Sequence, residues 1–136
     1  MKLACGVDIV DLTRMERLLA KHKQALVQRI LSPIEQERLR MCPKPKQTTT
    51  FAGMFAAKEA VAKAFGTGLW TSGISWADIV VDKNISGKPK IILTGELAEL
   101  ANERKVGNID ISISHDGGNV VAFCILVEGM EDVRAE

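Results

Sequence analysis

The stretch FAAKEAVAKAFG, residues 55–66, determines the architecture of this 136-residue chain. Alanine, valine and phenylalanine fill most of it, which is typical of a buried helix, and Gly66 is a suitable C-terminal stop. We therefore predict a long central helix over about residues 50–65, with a threonine of residues 48–50 as its N-cap. Three charges interrupt this apolar run within six residues: Lys58, Glu59 and Lys63.

Hydrophobic periodicity on both sides of this helix predicts a series of further elements. Asp11 is an N-cap candidate for a first helix, and Ser32, Pro33 and Glu35 form the start of a second helix with a capping box. The other predicted elements are a strand over 2–10, a hairpin over 74–94, a helix over 94–105, and two strands over 108–116 and 119–129. The order is strand, three helices, two strands, one helix, two strands.

This order predicts an α+β fold, with a mostly antiparallel sheet packed by helices. The length favours a single domain over residues 1–136, in which residues 129–136 form a frayed tail. No apolar run reaches the roughly 18 residues of a membrane span, and the N-terminus lacks a signal-peptide pattern, so we expect a cytoplasmic protein. Cys5, Cys42 and Cys124 have no metal-ligand spacing, and we expect Cys5 and Cys124 to be small core residues.

Charge is unevenly distributed along the chain. Residues 1–50 contain ten Lys and Arg against five Asp and Glu, whereas residues 51–136 contain eight against twelve. On the first helix, Arg14, Arg17 and Lys21 follow the spacing i, i+3, i+7 and project together. This face is either an ordinary solvated surface or a docking site for an acidic protein. Nucleic acid is a poor candidate because the net charge is only +1 and 4% of residues are aromatic.

The charges of the central helix have two interpretations. Glu59 and Lys63 are four residues apart, so an ordinary surface salt bridge between them is one possibility. The other is that Glu59 binds a cation while Lys63 binds a phosphate, since burying an ion pair without further partners is costly. Asp8, at the end of the first strand, is either a turn-forming residue or a ligand of a hard cation such as Mg²⁺.

Two shorter motifs are also ambiguous. The run of Gly66, Thr67 and Gly68 is suited to approach a phosphate through backbone N–H groups, although a helix C-cap and turn is the commoner use. Ser114 and His115, followed by an aspartate, suggest a hydrolase triad by composition, but neighbours in sequence do not make triad geometry. His115 could equally be a turn histidine or a phosphate contact.

Four motifs together resemble one enzyme family. They are GVDIVDLTRMERL at 6–18, FAAKEAVAKAFGTG at 55–68, GKP at 87–89 and ISISHD at 111–116. This combination resembles the bacterial short-chain 4′-phosphopantetheinyl transferases, the holo-[acyl-carrier-protein] synthase family, over residues 3–127. The resemblance implies the fold of that family.

The resemblance also implies a reaction and a partner. Such enzymes transfer 4′-phosphopantetheine from coenzyme A to a serine of an acidic apo acyl carrier protein for fatty acid biosynthesis, releasing adenosine 3′,5′-bisphosphate. They require Mg²⁺ and form homotrimers, with active sites between neighbouring subunits. The serine proton would pass to Glu59 or to a water on the metal, and the residues leave that choice open.

Site residues follow from matching positions in the family motifs. Asp8 and Glu59 would ligate Mg²⁺ and would be catalytic together with Lys63. The expected coenzyme A contacts are Lys63, Gly66, Thr67, Gly87, Pro89, Ser114 and His115. Arg14 matches a residue that meets the acidic helix of the carrier protein, and Arg17 and Lys21, on the same basic face by their spacing, would extend this partner-binding surface. Met54 stands where some relatives have arginine, so any contact of that arginine is absent or is made by Lys44 or Lys46.

Two rival functions remain open at this level. One is a hydrolase that uses Ser114 or another serine. The other is a non-catalytic module that binds an acidic protein through the basic face of the first helix.

Overall fold

Helix α3 and the three-stranded sheet beneath it form the centre of the fold. The computed structural model describes residues 1–66 and 74–129. Its elements are β1 (Lys2–Asp11), α1 (Leu12–Ile30), α2 (Pro33–Met41), α3 (Gln47–Phe65), β2 (Ile79–Lys83), β3 (Pro89–Leu93), α4 (Gly95–Glu103), β4 (Asn108–Asp116) and β5 (Asn119–Glu128), with short 3₁₀ turns at Lys44–Lys46 and Trp76–Asp78. This is the predicted order, and the α+β fold class is confirmed.

The strands form two antiparallel sheets. In the larger sheet the order is β1-β5-β4, so the N-terminal strand pairs with the last strand of the described chain. Strands β2 and β3 form a separate two-stranded hairpin. The frayed tail and Thr67 lie outside the described residues, and a single domain over the whole chain stays a prediction.

Helix α3 differs from its prediction at the N-terminal end. It begins at Gln47, so the three threonines lie inside its first turn instead of capping it. The 3₁₀ turn at Lys44–Lys46 leads directly into the helix, so no capping side chain is used there. The predicted end is correct, because Gly66 takes the left-handed conformation (φ 77°) and its N–H bonds to the carbonyl of Lys63 at 3.0 Å.

Strand β1 lies unusually close to helix α3. A Cβ atom at Gly6 would lie 2.1 Å from the carbonyl oxygen of Ala60 and 2.6 Å from the backbone nitrogen of Ala64. Only a residue without a side chain allows this contact, and the alanines of α3 keep the helix side equally thin. The contact brings Asp8, two residues further along β1, against the last two turns of the helix.

Cys5 of β1 is exposed, whereas we expected it to be a core residue. Gly6 and Val10 face α3 and are buried, whereas Leu3, Cys5, Val7 and Ile9 lie on the other face and are exposed. Cys5 is therefore not a core residue, since both faces of this strand are apolar and the alternation does not say which one is covered. Cys124 is buried as predicted, and burial raises the pKa of its thiol to about 12.

No helix within the described ranges is long and apolar enough to cross a membrane.

Candidate functional site

The close contact of β1 and α3 brings together two of the predicted site residues. The Lys63 ammonium donates to the Oδ1 of Asp8 at 3.1 Å and to the carbonyl of Val7 at 3.0 Å. The Asp8 side chain is only 15% exposed, whereas that of Lys63 is 51% exposed. Lys63 therefore forms its ion pair across to the strand, and it lies at the surface instead of being buried as the apolar surroundings suggested.

Glu59 is the second carboxylate of this site. It lies one turn before Lys63 on α3 and is half-buried. Burial raises the pKa of Glu59 above its ordinary value of 4.5, and the negative charge of Asp8 raises it further, while Lys63 opposes the shift. The negative charge of Asp8 thus disfavours the charged form of Glu59, and Lys63 compensates for only part of this effect. A bound cation would relieve this repulsion.

The donor set fits a hard cation that brings its own further ligands. Among residues 1–66 and 74–129, no group of three or more His, Cys, Asp or Glu side chains is placed to hold a metal ion. Asp8 and Glu59 could supply two carboxylate ligands to a metal ion. Mg²⁺ is commonly held in this way, by one or two carboxylates together with water and substrate phosphate oxygens.

A cleft of about 240 Å³ opens beside the carboxylates, between β1, α1 and α3. Asp11 places the start of α1 at this cleft, because its Oδ1 accepts the backbone N–H of Arg14 at 3.0 Å, as predicted for an N-cap. The cleft is lined by Asp8 and Glu59 at one end and by Arg14, and its apolar wall consists of Met15, Leu18 and Phe55. The two carboxylates, the guanidinium of Arg14 and an apolar wall therefore line the same cleft.

The predicted basic face begins at this cleft, because Arg14 is one of the residues that line it. Arg14, Arg17 and Lys21 are all exposed and lie before the kink of α1 at His22. Met54 is buried in α3, whereas Lys44 and Lys46 are exposed.

Lys58 has a role that the sequence did not reveal. It is fully buried, and its ammonium donates to the Oε1 of Glu35 at 2.7 Å and to the carbonyls of Ile30 at 2.8 Å and Trp76 at 3.0 Å. Burial lowers the pKa of Lys58, and the charge of Glu35 opposes that shift. The charge that α3 buries is therefore Lys58 and not Lys63. The only sequence signal was Glu35, which the capping-box pattern accounted for without a second partner.

The predicted nucleotide contacts lie at several places. Gly66 lies three residues after Lys63 and ends α3. Gly87 lies in the turn of the β2–β3 hairpin with φ 87°, and Pro89 begins β3. Thr67 lies outside the described residues.

Ser114 and His115 project from opposite faces of β4. Ser114 is paired through Val121 with Ile9, on the exposed face of the sheet. Asp8 is paired through Ala122 with Ile113, on the face that packs on α3. Since side chains alternate along a strand, Ser114 points away from Asp8, and His115 lies two strands from it, roughly 10 Å sideways. The Ser-His-Asp string accordingly does not converge into a triad.

Comparison with known proteins gives concordant matches. The family model of the 4′-phosphopantetheinyl transferase superfamily matches residues 4–124. A holo-[acyl-carrier-protein] synthase of Trichlorobacter lovleyi is 42% identical over 126 residues, covering 93% of this chain and 98% of the relative.

Solved structures agree with this match. The crystal structure of holo-[acyl-carrier-protein] synthase from Neisseria meningitidis superposes with a TM-score of 0.83 at 34% identity, over 91% of this chain and 97% of that one. The Helicobacter pylori synthase, solved in complex with coenzyme A, has a TM-score of 0.75 at 30% identity, over 92% and 99% of the two chains.

Proposed function

The chain belongs to the 4′-phosphopantetheinyl transferase superfamily, within its holo-[acyl-carrier-protein] synthase family, and from this premise we propose how its own residues transfer phosphopantetheine. The donor is coenzyme A and the acceptor is a serine of an apo acyl carrier protein that serves fatty acid biosynthesis. The products are the holo carrier protein and adenosine 3′,5′-bisphosphate. The observation that carries this proposal is that Asp8 and Glu59 line one cleft and that Lys63 pairs with Asp8 and acts electrostatically on Glu59.

The charges of these three residues match the charge distribution of the reaction. When the carrier serine attacks the phosphorus next to pantetheine, an O–P bond forms and the bond to the bridging diphosphate oxygen breaks. Asp8 and Glu59 would hold Mg²⁺, which supplies charge neutralisation at the diphosphate. Lys63 is half-exposed and adjoins both carboxylates, so its ammonium can turn to the phosphates and stabilise the charge that develops there.

The serine proton needs an acceptor near the cleft. Glu59 lines the cleft, so it is placed to accept a proton directly or through a water on the metal. The nucleophile comes from the carrier protein, so the chain needs no activated serine or cysteine of its own.

The cleft beside Glu59 suits the carrier protein. Arg14 lines it together with an apolar wall, and Arg17 and Lys21 extend the positive charge along α1. An acidic helix that presents its serine at the cleft would lie along this face, with its charges steering the approach.

We further infer that three copies of the chain assemble, as the resemblance implied. The sheet face opposite α3 exposes an apolar set made of Leu3, Cys5, Val7, Ile9, Phe123 and Ile125. Leu3 is 69% exposed and Ile9 64%, and such a patch on a sheet is typical of a protein interface. Ser114 shares this face, so a neighbouring subunit seated there can bring its own carboxylates toward it. A coenzyme A site between subunits would unite Ser114 with Asp8 and Glu59.

A cytoplasmic location is part of the proposal. Cys5, Cys42 and Cys124 are free thiols, in keeping with a reducing compartment.

The decisive experiment incubates the protein with coenzyme A, Mg²⁺ and an apo acyl carrier protein of fatty acid biosynthesis. Mass spectrometry of the carrier should reveal the addition of one phosphopantetheine, and chelation of the metal should prevent it. An unmodified carrier under these conditions would refute the proposed reaction. A parallel incubation with a polyketide carrier protein tests the fatty acid assignment, which predicts faster modification of the fatty acid carrier.

Substitution of the metal carboxylates separates the rival functions. Asp8→Asn keeps the shape of the side chain but removes its charge, so transfer should fall by at least about 100-fold, the order of loss typical of removing one electrostatic group. If the protein were a non-catalytic binding module, the original protein and Asp8→Asn would bind the carrier equally well, and neither would modify it.

A further inference from the structure

A buried cluster outside the cleft connects the end of α1 and the elements α2, α3 and β2. At its centre are Lys58 of α3 and Glu35 of α2, both 0% exposed. The ammonium of Lys58 has three donors and three bonded acceptors: Glu35 and the carbonyls of Ile30 and Trp76. Glu35 in turn accepts from Lys58 and Ser32 through Oε1 and from the backbone N–H of Val81 through Oε2. Both ions are thus fully hydrogen-bonded, as a buried pair requires.

Helix α2 holds the outer edge of β2 through two side chains. At Val81 the backbone N–H donates to Glu35 at 2.8 Å, and the carbonyl accepts from the Nη1 of Arg38 at 2.7 Å. The other guanidinium nitrogen of Arg38 bonds to Asp82 at 2.8 Å. Glu35 and Arg38 are three residues apart on one face of α2, so they replace a neighbouring strand at this edge.

This arrangement fixes the hairpin to the helix that carries the carboxylate. Lys58 precedes Glu59 directly on α3, and Lys58 connects through Glu35 to Val81. The β2–β3 hairpin pairs only with itself in sheet hydrogen bonds among the described strands, so core packing of Ile79 and Val81, the Lys88–Asp110 ion pair and these side-chain anchors together hold it in position. Gly87 and Pro89, in the turn and at the start of β3, move with it.

We propose that Lys58 and Glu35 are positioning residues for coenzyme A. They hold the β2–β3 hairpin against α3 through the bond to Val81, a connection that we call the lock. The inference rests on the proposed function in one respect, the assignment of Gly87 and Pro89 to the coenzyme A site. Neither member of the pair touches substrate, because both are enclosed and every N–H of the Lys58 ammonium is already engaged.

Two variants release the lock in different ways. The double variant Lys58→Met with Glu35→Met removes both buried charges together, so no lone ion is left inside, and it removes both carboxylate oxygens, including the one that accepts the N–H of Val81. Arg38→Met releases only the carbonyl side of Val81 and Asp82. Arg38 is 28% exposed, so this second variant leaves the core intact. The matched control is Arg40→Met with Glu37→Gln, which removes an exposed pair on the same helix.

Two readouts follow the lock without depending on turnover. Calorimetric titration with Mg²⁺ and coenzyme A gives the Kd, and hydrogen exchange gives the protection of the Val81 amide. In the double variant we expect the Kd to rise about tenfold, the order of change for a displaced binding group, with a smaller rise in Arg38→Met. Exchange at Val81 should be faster in the double variant, and the control pair should change neither quantity. The kcat at saturating coenzyme A should stay within about threefold of the original.

The outcomes separate this inference from the proposed function. Faster exchange at Val81 with an unchanged Kd would overturn it, because the pair would then be structural only. A large loss of kcat with unchanged Kd would overturn it in favour of a catalytic Lys58. If the double variant does not fold, an unchanged Kd in Arg38→Met rejects the lock, and a raised Kd supports it. If the original protein binds coenzyme A but transfers nothing, the proposed reaction fails while the positioning test still stands. If it binds no coenzyme A, both fail.

Discussion

Gly6 is the residue that sets the distance between β1 and the site on α3. A Cβ atom at this position would lie 2.1 Å from the Ala60 carbonyl oxygen, so β1 packs this closely on α3 only because Gly6 has no side chain. Backbone atoms cannot move aside as a flexible side chain can, so Gly6→Ala should lower the free energy of unfolding by about 2 kcal/mol or more. Urea unfolding measures this change.

Gly53 of α3 provides the control for this substitution. A Cβ there would meet a methyl group of Ile113 at an ordinary 3.6 Å. Because glycine weakens a helix interior, Gly53→Ala should instead raise the free energy of unfolding by about 0.5 to 1 kcal/mol. Equal effects of the two substitutions would contradict the close contact at Gly6.

Glu59 should make the metal-free protein less stable as the pH rises. The pKa of Glu59 in the folded state is above the ordinary value of 4.5 that applies to the unfolded chain. Between the unfolded-state pKa and the folded-state pKa, the folded protein therefore binds more protons than the unfolded one. The stability that this group contributes is complete below about pH 4.5 and is lost as the pH rises through the folded pKa. Glu59→Gln does not titrate, so at neutral pH and without metal it should melt at a higher temperature than the original.

When a divalent cation and coenzyme A are bound, the difference in melting temperature between Glu59→Gln and the original protein should change sign. Mg²⁺ together with coenzyme A should raise the Tm of the original protein and leave that of Glu59→Gln nearly unchanged, because a ligand stabilises only the state that binds it. Thermal melts at pH 4 and pH 7, with and without these ligands, measure both effects. A variant that is less stable than the original at pH 7 without metal would contradict the buried, repelled carboxylate.

Helix α1 is the element expected to determine the affinity for the carrier protein. Its exposed Arg14 adjoins both the cleft and the rest of the basic face. Arg14→Glu should weaken carrier-protein affinity about tenfold at low salt, equivalent to ~1.4 kcal/mol, with the loss shrinking as ionic strength rises. The Kd of coenzyme A should not change. Arg40→Glu on α2 is the control, and an equal loss from it would mean that overall charge, not this face, attracts the carrier.

At the level of elements, periodicity was sufficient for the order but not for every contact. Alternation and heptad-like spacing are local properties, so the order of helices and strands and the Gly66 stop followed from them. The start of α3 did not, because a 3₁₀ turn replaced the expected threonine cap. The burial of Lys58 and the exposure of Lys63 did not follow either, since the depth of a helical residue depends on distant elements such as α2 and β2.

The predictability of the site was divided in the same way. Resemblance to a family identified Asp8, Glu59 and Lys63, and the structure places these three together. It could not reveal that Lys63 pairs with Asp8 instead of Glu59, or that Ser114 faces away from both, because these depend on strand pairing across the sheet. Glu35 was missed as part of the framework because its capping role already explained its presence.

At the scale of the whole molecule, the exposed apolar sheet face should determine assembly. Phe123 lies in the middle of this face, paired with Val7 of β1, and is 41% exposed. Phe123→Glu places a charge there and should convert a trimer to monomers, which light scattering or native mass spectrometry measures directly. Thr13→Glu, an exposed change on α1 away from the sheet, is the control that should stay trimeric. A monomeric original protein would refute the trimer.

The rate at which a thiol reagent labels Cys5 measures whether the exposed apolar sheet face is covered, because Cys5 lies on that face. Cys5 is exposed in the isolated subunit, Cys42 is partly exposed and bonded to Thr50, and Cys124 is buried with a pKa of about 12. In a Cys42→Ser background, Cys5 is the remaining thiol expected to react near pH 8, since the thiolate is the reactive form. A trimer covers it, so labelling should be slow in this background and fast once Phe123→Glu is added. The slow rate should also rise on dilution, because dissociation uncovers the thiol. Equally fast labelling of both proteins, with the trimer intact, would mean that the subunits meet through a different surface.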